Sequence, residues 1–269
     1  MNPLSYINNT FRQYNDVHLH ISDLSIHRAY GIFDYMAQYG ENIPFINSYL
    51  DRFFNSALLM HLQVPHSKEE IKNIILQLVS ENKFPSSGIK LLLTGGYSDD
   101  GYTPGIPNFV ILNTPLPVAD PEQYSKGVSL ITCHYKRSMP VAKTIDYSIS
   151  LTYHQKMKSA GAVDVLYVWE NDILEASRCN FFILKNNVII TAKENVLLGI
   201  TRSEVIKLAS KEHIIEERPI EFEELITCDG CFITSTTKGI MPVAKIDDIK
   251  INNGQIHPVI KFLIGEFNH

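Results

Sequence analysis

Residues 143–182 constrain the fold more than any other stretch of the chain. They begin with Lys143-Thr-Ile-Asp-Tyr147 and continue as a helical pattern over 147–160, stopped by Gly161. A strongly apolar strand over 163–169 follows and returns through Glu170-Asn-Asp172. The stretch closes with Glu175-Ala-Ser-Arg178-Cys-Asn180-Phe-Phe182. A lysine thus precedes a helix and a strand pair, and a glutamate stands at the far side of that pair. Helices and strands mixed in this way predict an α/β or α+β architecture.

The preceding chain has the same mixed character. A helix is expected over 45–61, with Asn47 as its N-cap and Leu50, Phe53, Phe54, Ala57 and Leu58 at helical spacing. Arg52 falls off that stripe, on a row with Tyr49 and Ser56. Ser67-Lys-Glu-Glu70 reads as a capping box that opens a second helix. Strands are expected over 17–21, 32–39, 88–94 and 108–113. Two prolines in Leu116-Pro-Val-Ala-Asp-Pro121 mark a boundary, giving domains over 1–115 and 123–269 joined by a linker over 116–122, with Lys143 in the second domain. Beyond the linker come a strand over 128–133 and a hairpin of 180–184 with 188–191 across Lys185-Asn-Asn187. A helix over 202–212 follows, led by Leu198-Gly-Ile-Thr201, and a strand over 232–234 runs into Ser235-Thr-Thr-Lys-Gly239.

Composition excludes several classes. A net charge of −5 over 269 residues, without a basic run, argues against a nucleic-acid partner. No apolar run is long enough to span a bilayer, and the first residues lack the regions of a signal peptide, so a cytoplasmic location is expected. Four cysteines do not make a disulfide framework. Cys228-Asp-Gly-Cys231 reads as two partly buried thiols flanking a turn, because zinc would need two further ligands. His18 and His20 alternate without a third metal ligand. Dinucleotide, P-loop, zinc-protease and serine-hydrolase motifs are absent.

The residues that could carry chemistry are few. Lys143 is a candidate nucleophilic amine, which burial and neighbouring cations would activate. Glu175 is a candidate for holding a positive ring nitrogen, the partner that pyridoxal phosphate needs opposite its lysine. Gly199-Ile200-Thr201 precedes a helix and offers outward backbone N–H groups to an anion; Thr236, Thr237 and Arg52 could add to a phosphate site. Taken singly, each has a plainer reading: Thr201 as an N-cap, the threonines as turn residues, Arg52 as an exposed helix charge.

Taken together, the chain resembles the class IV (fold-type IV) pyridoxal-phosphate aminotransferases. That group includes branched-chain aminotransferase, D-amino-acid aminotransferase and aminodeoxychorismate lyase. The likeness runs from Tyr30-Gly-Ile-Phe-Asp34 and Leu50-Asp-Arg52 through Lys143-Thr-Ile-Asp-Tyr147, Glu175-Ala-Ser-Arg-Cys-Asn-Phe181 and Gly199-Ile-Thr-Arg202 to Thr236-Thr-Lys-Gly-Ile-Met-Pro-Val243. The resemblance implies a two-domain fold with the cofactor in the cleft between domains, in a homodimer. It implies that Lys143 forms a covalent imine with pyridoxal 5'-phosphate and shuttles the substrate Cα proton. Glu175 would pair with the pyridine nitrogen, and Tyr147 would contact the phenolic oxygen. Arg52, the backbone of Ile200 and Thr201, and Thr236 would hold the phosphate. Asn180 would belong to the same cofactor-binding set, and Phe33 and Thr237 would face the substrate.

Departures concern the substrate. Where many relatives carry an arginine after the strand over 90–93, this chain has Thr94-Gly95-Gly96, and the lyase branch's nearby arginine is replaced within Asp99-Asp100-Gly101-Tyr102. Asp146 stands where asparagine is usual. Arg28 and Arg178 are candidate replacements for the carboxylate clamp; the plainer reading makes them surface charges or salt-bridge partners. The expected activity is transamination between an amino acid of the branched-chain or D-amino-acid type and a 2-oxo acid. The alternatives are pyruvate-releasing aminodeoxychorismate lyase and a non-catalytic homologue that binds the cofactor.

Overall fold

The computed structural model describes residues 2–117 and 120–267. The chain forms two compact units, Met1–Pro117 with Ala142–Asp146, and Val118–Val141 with Tyr147–His269.

The first unit is built from β1 (Leu4–Ile7), β2 (Thr10–Gln13), α1 (Leu24–Arg28), β3 (Gly31–Tyr39), α2 (Ile46–Leu59), α3 (Lys68–Asn82), β4 (Ser86–Thr94) and β5 (Phe109–Pro115). Its strands form one antiparallel sheet in the order β2-β1-β5-β4-β3. Period-two alternation divides the two faces. Ile32, Asp34 and Met36 of β3 and Ile89, Leu91 and Leu93 of β4 are buried, with α2 lying on β3 and α3 on β1 and β5. Phe33, Tyr35, Lys90, Leu92 and Leu112 are only half-buried. Ser67 and Glu70 make the expected reciprocal capping box on α3. Two expectations fail. Phe45, in a left-handed conformation, is the N-cap of α2, which puts Asn47 inside the first turn. Residues 17–21 form no strand; the nearest pairing is an isolated bridge between Asp23 and Tyr97.

Residues 142–146 belong with this unit, whereas the sequence assigned the lysine to the second domain. The reason is the outer edge of β3, whose backbone groups need partners. Phe33 N–H donates to the Lys143 carbonyl at 2.9 Å, Ile145 N–H donates to the Gly31 carbonyl at 3.1 Å, and Ile32 bridges Thr144.

The second unit contains α4 (Pro121–Lys126), β6 (Val128–His134), α5 (Ser148–Thr152), α6 (His154–Ala160), β7 (Ala162–Trp169), β8 (Asp172–Ala176), β9 (Cys179–Lys185) and β10 (Val188–Thr191). It continues with α7 (Ile200–Ala209), β11 (Ile214–Glu217), β12 (Ile220–Glu221), α8 (Glu224–Thr227), β13 (Gly230–Ser235), β14 (Gly239–Ile246), β15 (Ile249–Lys250) and α9 (Pro258–Phe267). The strand order is β11-β10-β9-β13-β14-β6-β7-β8-β12, and β8 also pairs with β9. The strands β9, β13, β14, β6, β7 and β8 therefore close on themselves as a six-stranded barrel. Leu130, Leu166, Phe181, Ile183, Ile233 and Val243 form part of the core that this closure encloses. The opposite faces are covered in two places. Residues of α7 and α9 pack with Phe182, Leu184 and Phe232, and residues of α5 and α6 pack with Ile131, Val165 and Tyr167.

The single helix expected over 147–160 is two short ones meeting at Tyr153. The β9–β10 hairpin turns through Asn186 and Asn187, both at positive φ, as its sequence indicated. Of the expected linker over 116–122, Val118 and Ala119 lie outside the described residues, and Pro121 and Glu122 already belong to α4, capped by Asp120. Cys228 and Cys231 are both buried, with their sulfurs 3.5 Å apart, deeper than the partial burial expected, because they join the barrel core. Among the described residues no helix is long and apolar enough to cross a membrane, and no group of three or more His, Cys, Asp or Glu could hold a metal ion.

Candidate active site

The first unit presents Lys143 on a fixed backbone. Beside the two bonds to β3, the Lys143 N–H donates to Ser56 Oγ on α2 at 3.1 Å. Its Nζ lies 4.6 Å from the centre of the Phe33 ring. Ser56, Arg52 and Tyr49 form the row of α2 that lies off its apolar stripe. That row faces inward: Tyr49 and Ser56 are buried. Arg52 makes a two-pronged ion pair with the fully buried Asp34, Nε to Oδ2 at 2.9 Å and Nη2 to Oδ1 at 2.6 Å. Such a fork fixes a guanidinium far better than one contact would. Arg52 is therefore an oriented cation rather than a surface charge.

The second unit builds its polar cluster on the β8–β9 hairpin. Glu175 and Asn180 stand opposite each other in register. Both are buried, and both hold the same residue of the loop before α7. Glu175 Oε2 accepts from the Leu197 N–H at 3.0 Å, and Asn180 Nδ2 donates to the Leu197 carbonyl at 2.6 Å. Arg137 Nε donates to the other oxygen of Glu175 at 2.9 Å. The hairpin turn is anchored in its own right. Asp164, fully buried on β7, accepts from Ser177 Oγ, the Val165 N–H and Arg178 Nε.

Gripping Leu197 fixes the start of α7, where Gly199 is the N-cap without any side-chain cap. The N–H groups of the first turn, from Ile200 and Thr201, have no intrahelical acceptor and carry the positive end of the helix dipole. Thr201 is buried inside this turn and is not the N-cap. Gly199 lies directly beneath Asn180 Oδ1, so a Cβ there would collide with the amide. Gly199→Ala is expected to push Asn180 off Leu197 and misplace the first turn. Affinity for an anion at that helix end should fall about tenfold, the effect of ~1.4 kcal/mol, with overall stability lowered by roughly 1–3 kcal/mol. Anion titration together with denaturant unfolding of the variant would show both.

Thr236, half-buried, and Thr237, exposed, follow β13 as expected. In β13 itself, Thr234 pairs with Asn180, and its buried Oγ1 has no hydrogen-bond partner among the described residues. Tyr147 leads into α5. Burial pushes its phenol up to about 12; Arg137 pulls the other way, and Glu175 adds to the rise. Tyr147 thus remains a neutral O–H donor throughout the working range. Between about pH 10 and about pH 12 the unfolded chain releases this proton while the folded chain keeps it, so unfolding is favoured as pH rises. By about pH 11, Tyr147→Phe is expected to remove roughly 1 kcal/mol of this alkaline destabilisation, seen by comparing urea unfolding of both proteins there and at about pH 9.

The two arginines expected to form a clamp are engaged elsewhere. Arg28 is exposed at the end of α1, with Nη1 donating to the His27 carbonyl at 2.9 Å. Arg178 donates from Nε to Asp164 at 3.3 Å and from Nη2 to the Val163 carbonyl at 2.8 Å. Its observed partners make it a brace of the hairpin turn. The missing arginines have physical explanations. The Tyr30 ring lies against Gly95, where a Cβ would collide with it, and Tyr30 Oη donates to the Met60 carbonyl. Asp100 closes its own loop, accepting from Ser98 Oγ, the Tyr102 and Thr103 N–H groups and Thr103 Oγ1, which lower its proton affinity.

A family model described as amino-transferase class IV matches residues 31–246. The chain belongs to this family. It is 30% identical to a Methanocaldococcus jannaschii protein, across 97% of this chain and 94% of that one, whose name as a branched-chain-amino-acid aminotransferase is provisional. It is 28% identical to a D-alanine aminotransferase of Bacillus licheniformis, across 86% and 84% of the two chains. A branched-chain amino acid aminotransferase of T.th., solved with pyridoxamine 5'-phosphate, superposes with a TM-score of 0.92 at 23% identity, covering 100% of this chain and 93% of that one. The two-domain fold-type IV architecture is thereby established, and the chain is an enzyme of the aminotransferase class.

For a class IV aminotransferase of this sequence, four supporting residues had been given no role. Asp34 orients Arg52, Ser56 holds Lys143, Arg137 holds Glu175, and Asp164 holds the hairpin turn. Ser56 left a trace in its place on the row with Arg52, and Asp34 in the motif Tyr30-Gly-Ile-Phe-Asp34. The others act across long sequence separations that periodicity does not register.

Proposed function

We propose that this class IV aminotransferase uses pyridoxal 5'-phosphate to exchange an amino group between an amino acid of the branched-chain or D-amino-acid type and a 2-oxo acid. The observation that carries the cofactor assignment is Glu175, a buried carboxylate with each oxygen held by a separate donor. Such an anion suits a cationic ring nitrogen.

The donor set fits the cofactor. Lys143 supplies an amine against an aromatic ring, and Arg52 a cation fixed by Asp34. The first turn of α7, at Ile200 and Thr201, supplies N–H donors for a phosphate, with Thr236 adding a hydroxyl. Among the described residues the buried Thr234 Oγ1 has no hydrogen-bond partner; it lies beside Asn180, which itself sets the helix turn. When bound, the cofactor supplies an electron-accepting ring that eases cleavage of the substrate Cα–H bond. Lys143 would remove that proton and return it. Tyr147, kept neutral, would donate to the phenolic oxygen. Glu175 would hold the ring nitrogen's proton in place. Phe33 and Thr237 would face the substrate, and Arg28 and Arg178 would contact its carboxylate only on exchanging their present partners. The substrate class rests on the relatives, one carrying the branched-chain name and one the D-alanine name. The lyase reading is disfavoured by Tyr30 against Gly95 and by Asp100 in its closed turn.

A homodimer fits the exposure of Tyr102 and Ile106 in one loop of the first unit. Sedimentation at micromolar concentration should give twice the chain mass. The function itself is tested by the visible spectrum of the purified protein during separate titration with L- and D-amino acids. A cofactor band that one enantiomer of a branched-chain amino acid or of alanine discharges is expected. A colourless protein that takes up no added cofactor would overturn the proposal.

A further inference from the structure

Phe33 serves two amines. Its ring centre lies 4.6 Å from Lys143 Nζ and 5.1 Å from Lys90 Nζ. Lys90 sits on β4 directly opposite Tyr35 of β3, on the half-buried face of the first sheet. Among the described residues no carboxylate pairs with its ammonium group, and the Phe33 ring is the partner it has. Burial pulls its proton affinity below that of an ordinary lysine.

The other charged and titratable groups of the first unit that border this face do not compensate it. Asp34 points to the opposite face of β3 and is bound to Arg52 of α2. Tyr35 lies beside Lys90, and burial raises its phenol, so it adds no negative charge at neutral pH. On its other flank Lys90 faces Leu112 of β5, which is uncharged. Ser56 of α2 is uncharged.

We propose that Lys90 is a positioning residue for the reaction, acting through Phe33 to keep the Lys143 amine uncharged and nucleophilic. Two ammonium groups against one partly desolvated ring repel each other, so a second proton is disfavoured. A neighbouring cation is an established means of activating a lysine. The inference rests on Lys143 as the residue that receives the cofactor, and it asks more of the first sheet than that reading does.

The test uses the full chain freed of cofactor, as wild type, Lys90→Met and Lys90→Arg. Trace acetic anhydride is applied from about pH 6 to about pH 11, and modification of Lys143 is read by peptide mass. In Lys90→Met the midpoint of Lys143 labelling should rise by about one pH unit, so labelling at neutral pH drops roughly tenfold. Lys90→Arg should keep the wild-type midpoint. An unchanged midpoint in Lys90→Met, or an equal rise in Lys90→Arg, would overturn the proposal. Thermal unfolding of each variant identifies a folding defect, in which case Lys90→Gln takes the place of methionine and is read by the same criteria. Labelling needs no cofactor. A wild-type protein that binds no pyridoxal phosphate would therefore refute the function without touching this result.

Discussion

Lys143→Ala is expected to lower turnover by about 10³-fold or more, since on the proposed function it would remove both the covalent attachment point and the group that moves the Cα proton. Stability should change little. The segment is held to β3 and α2 through backbone atoms at Lys143 and Ile145, which alanine retains. Lys143→Arg is the sharper variant. It keeps a long basic side chain, but guanidinium does not give up its proton in proteins, so it can neither attack an aldehyde nor accept a proton. Both variants should lose the cofactor's covalent absorption band and remain folded by circular dichroism. Substantial turnover in Lys143→Arg would mean that another group carries the proton.

Legibility in the sequence followed the range over which a signal acts. Ser67-Lys-Glu-Glu70 announced its helix, and Lys185-Asn-Asn187 its turn, because both are settled within a few residues. The paired edge at 142–146 was not legible. Five residues with no periodicity of their own are placed by an unpaired strand edge about a hundred positions away, and so Lys143 was assigned to the wrong unit. Closure of the barrel is similar, since it depends on β8 pairing with both of its neighbours. At the candidate site the motifs pointed to candidate residues, while the residues that hold those candidates in place were not legible. The row Tyr49, Arg52 and Ser56 shows why. Off the apolar stripe it reads as a solvated face, yet a buried Asp34 beneath it turns that row inward. A carboxylate on a neighbouring strand leaves no mark on the helix's own pattern.

Glu175→Gln tests the second unit in the same way. The amide is nearly isosteric and neutral, and it presents one acceptor where the carboxylate presents two. Arg137 Nε and the Leu197 N–H, which now reach separate oxygens, cannot both be satisfied. One of them would face the amide's own N–H, at a cost of about 1–3 kcal/mol for a buried donor left unpaired. The charge that, on the proposed function, would favour a protonated ring nitrogen is also gone. Turnover is expected to fall about 100-fold, or ~2.7 kcal/mol of transition-state stabilisation. Cofactor uptake at Lys143 should persist, because the amine and the phosphate donors are untouched. Glu175→Asp keeps the charge but is one methylene shorter, so it should recover part of the loss. Arg137→Ala should mimic the glutamine variant in weakened form if the guanidinium serves to aim the carboxylate. Glutamine at wild-type turnover would show that charge at this position is irrelevant to the chemistry. Equal losses in the glutamine and aspartate variants would show that geometry alone matters there.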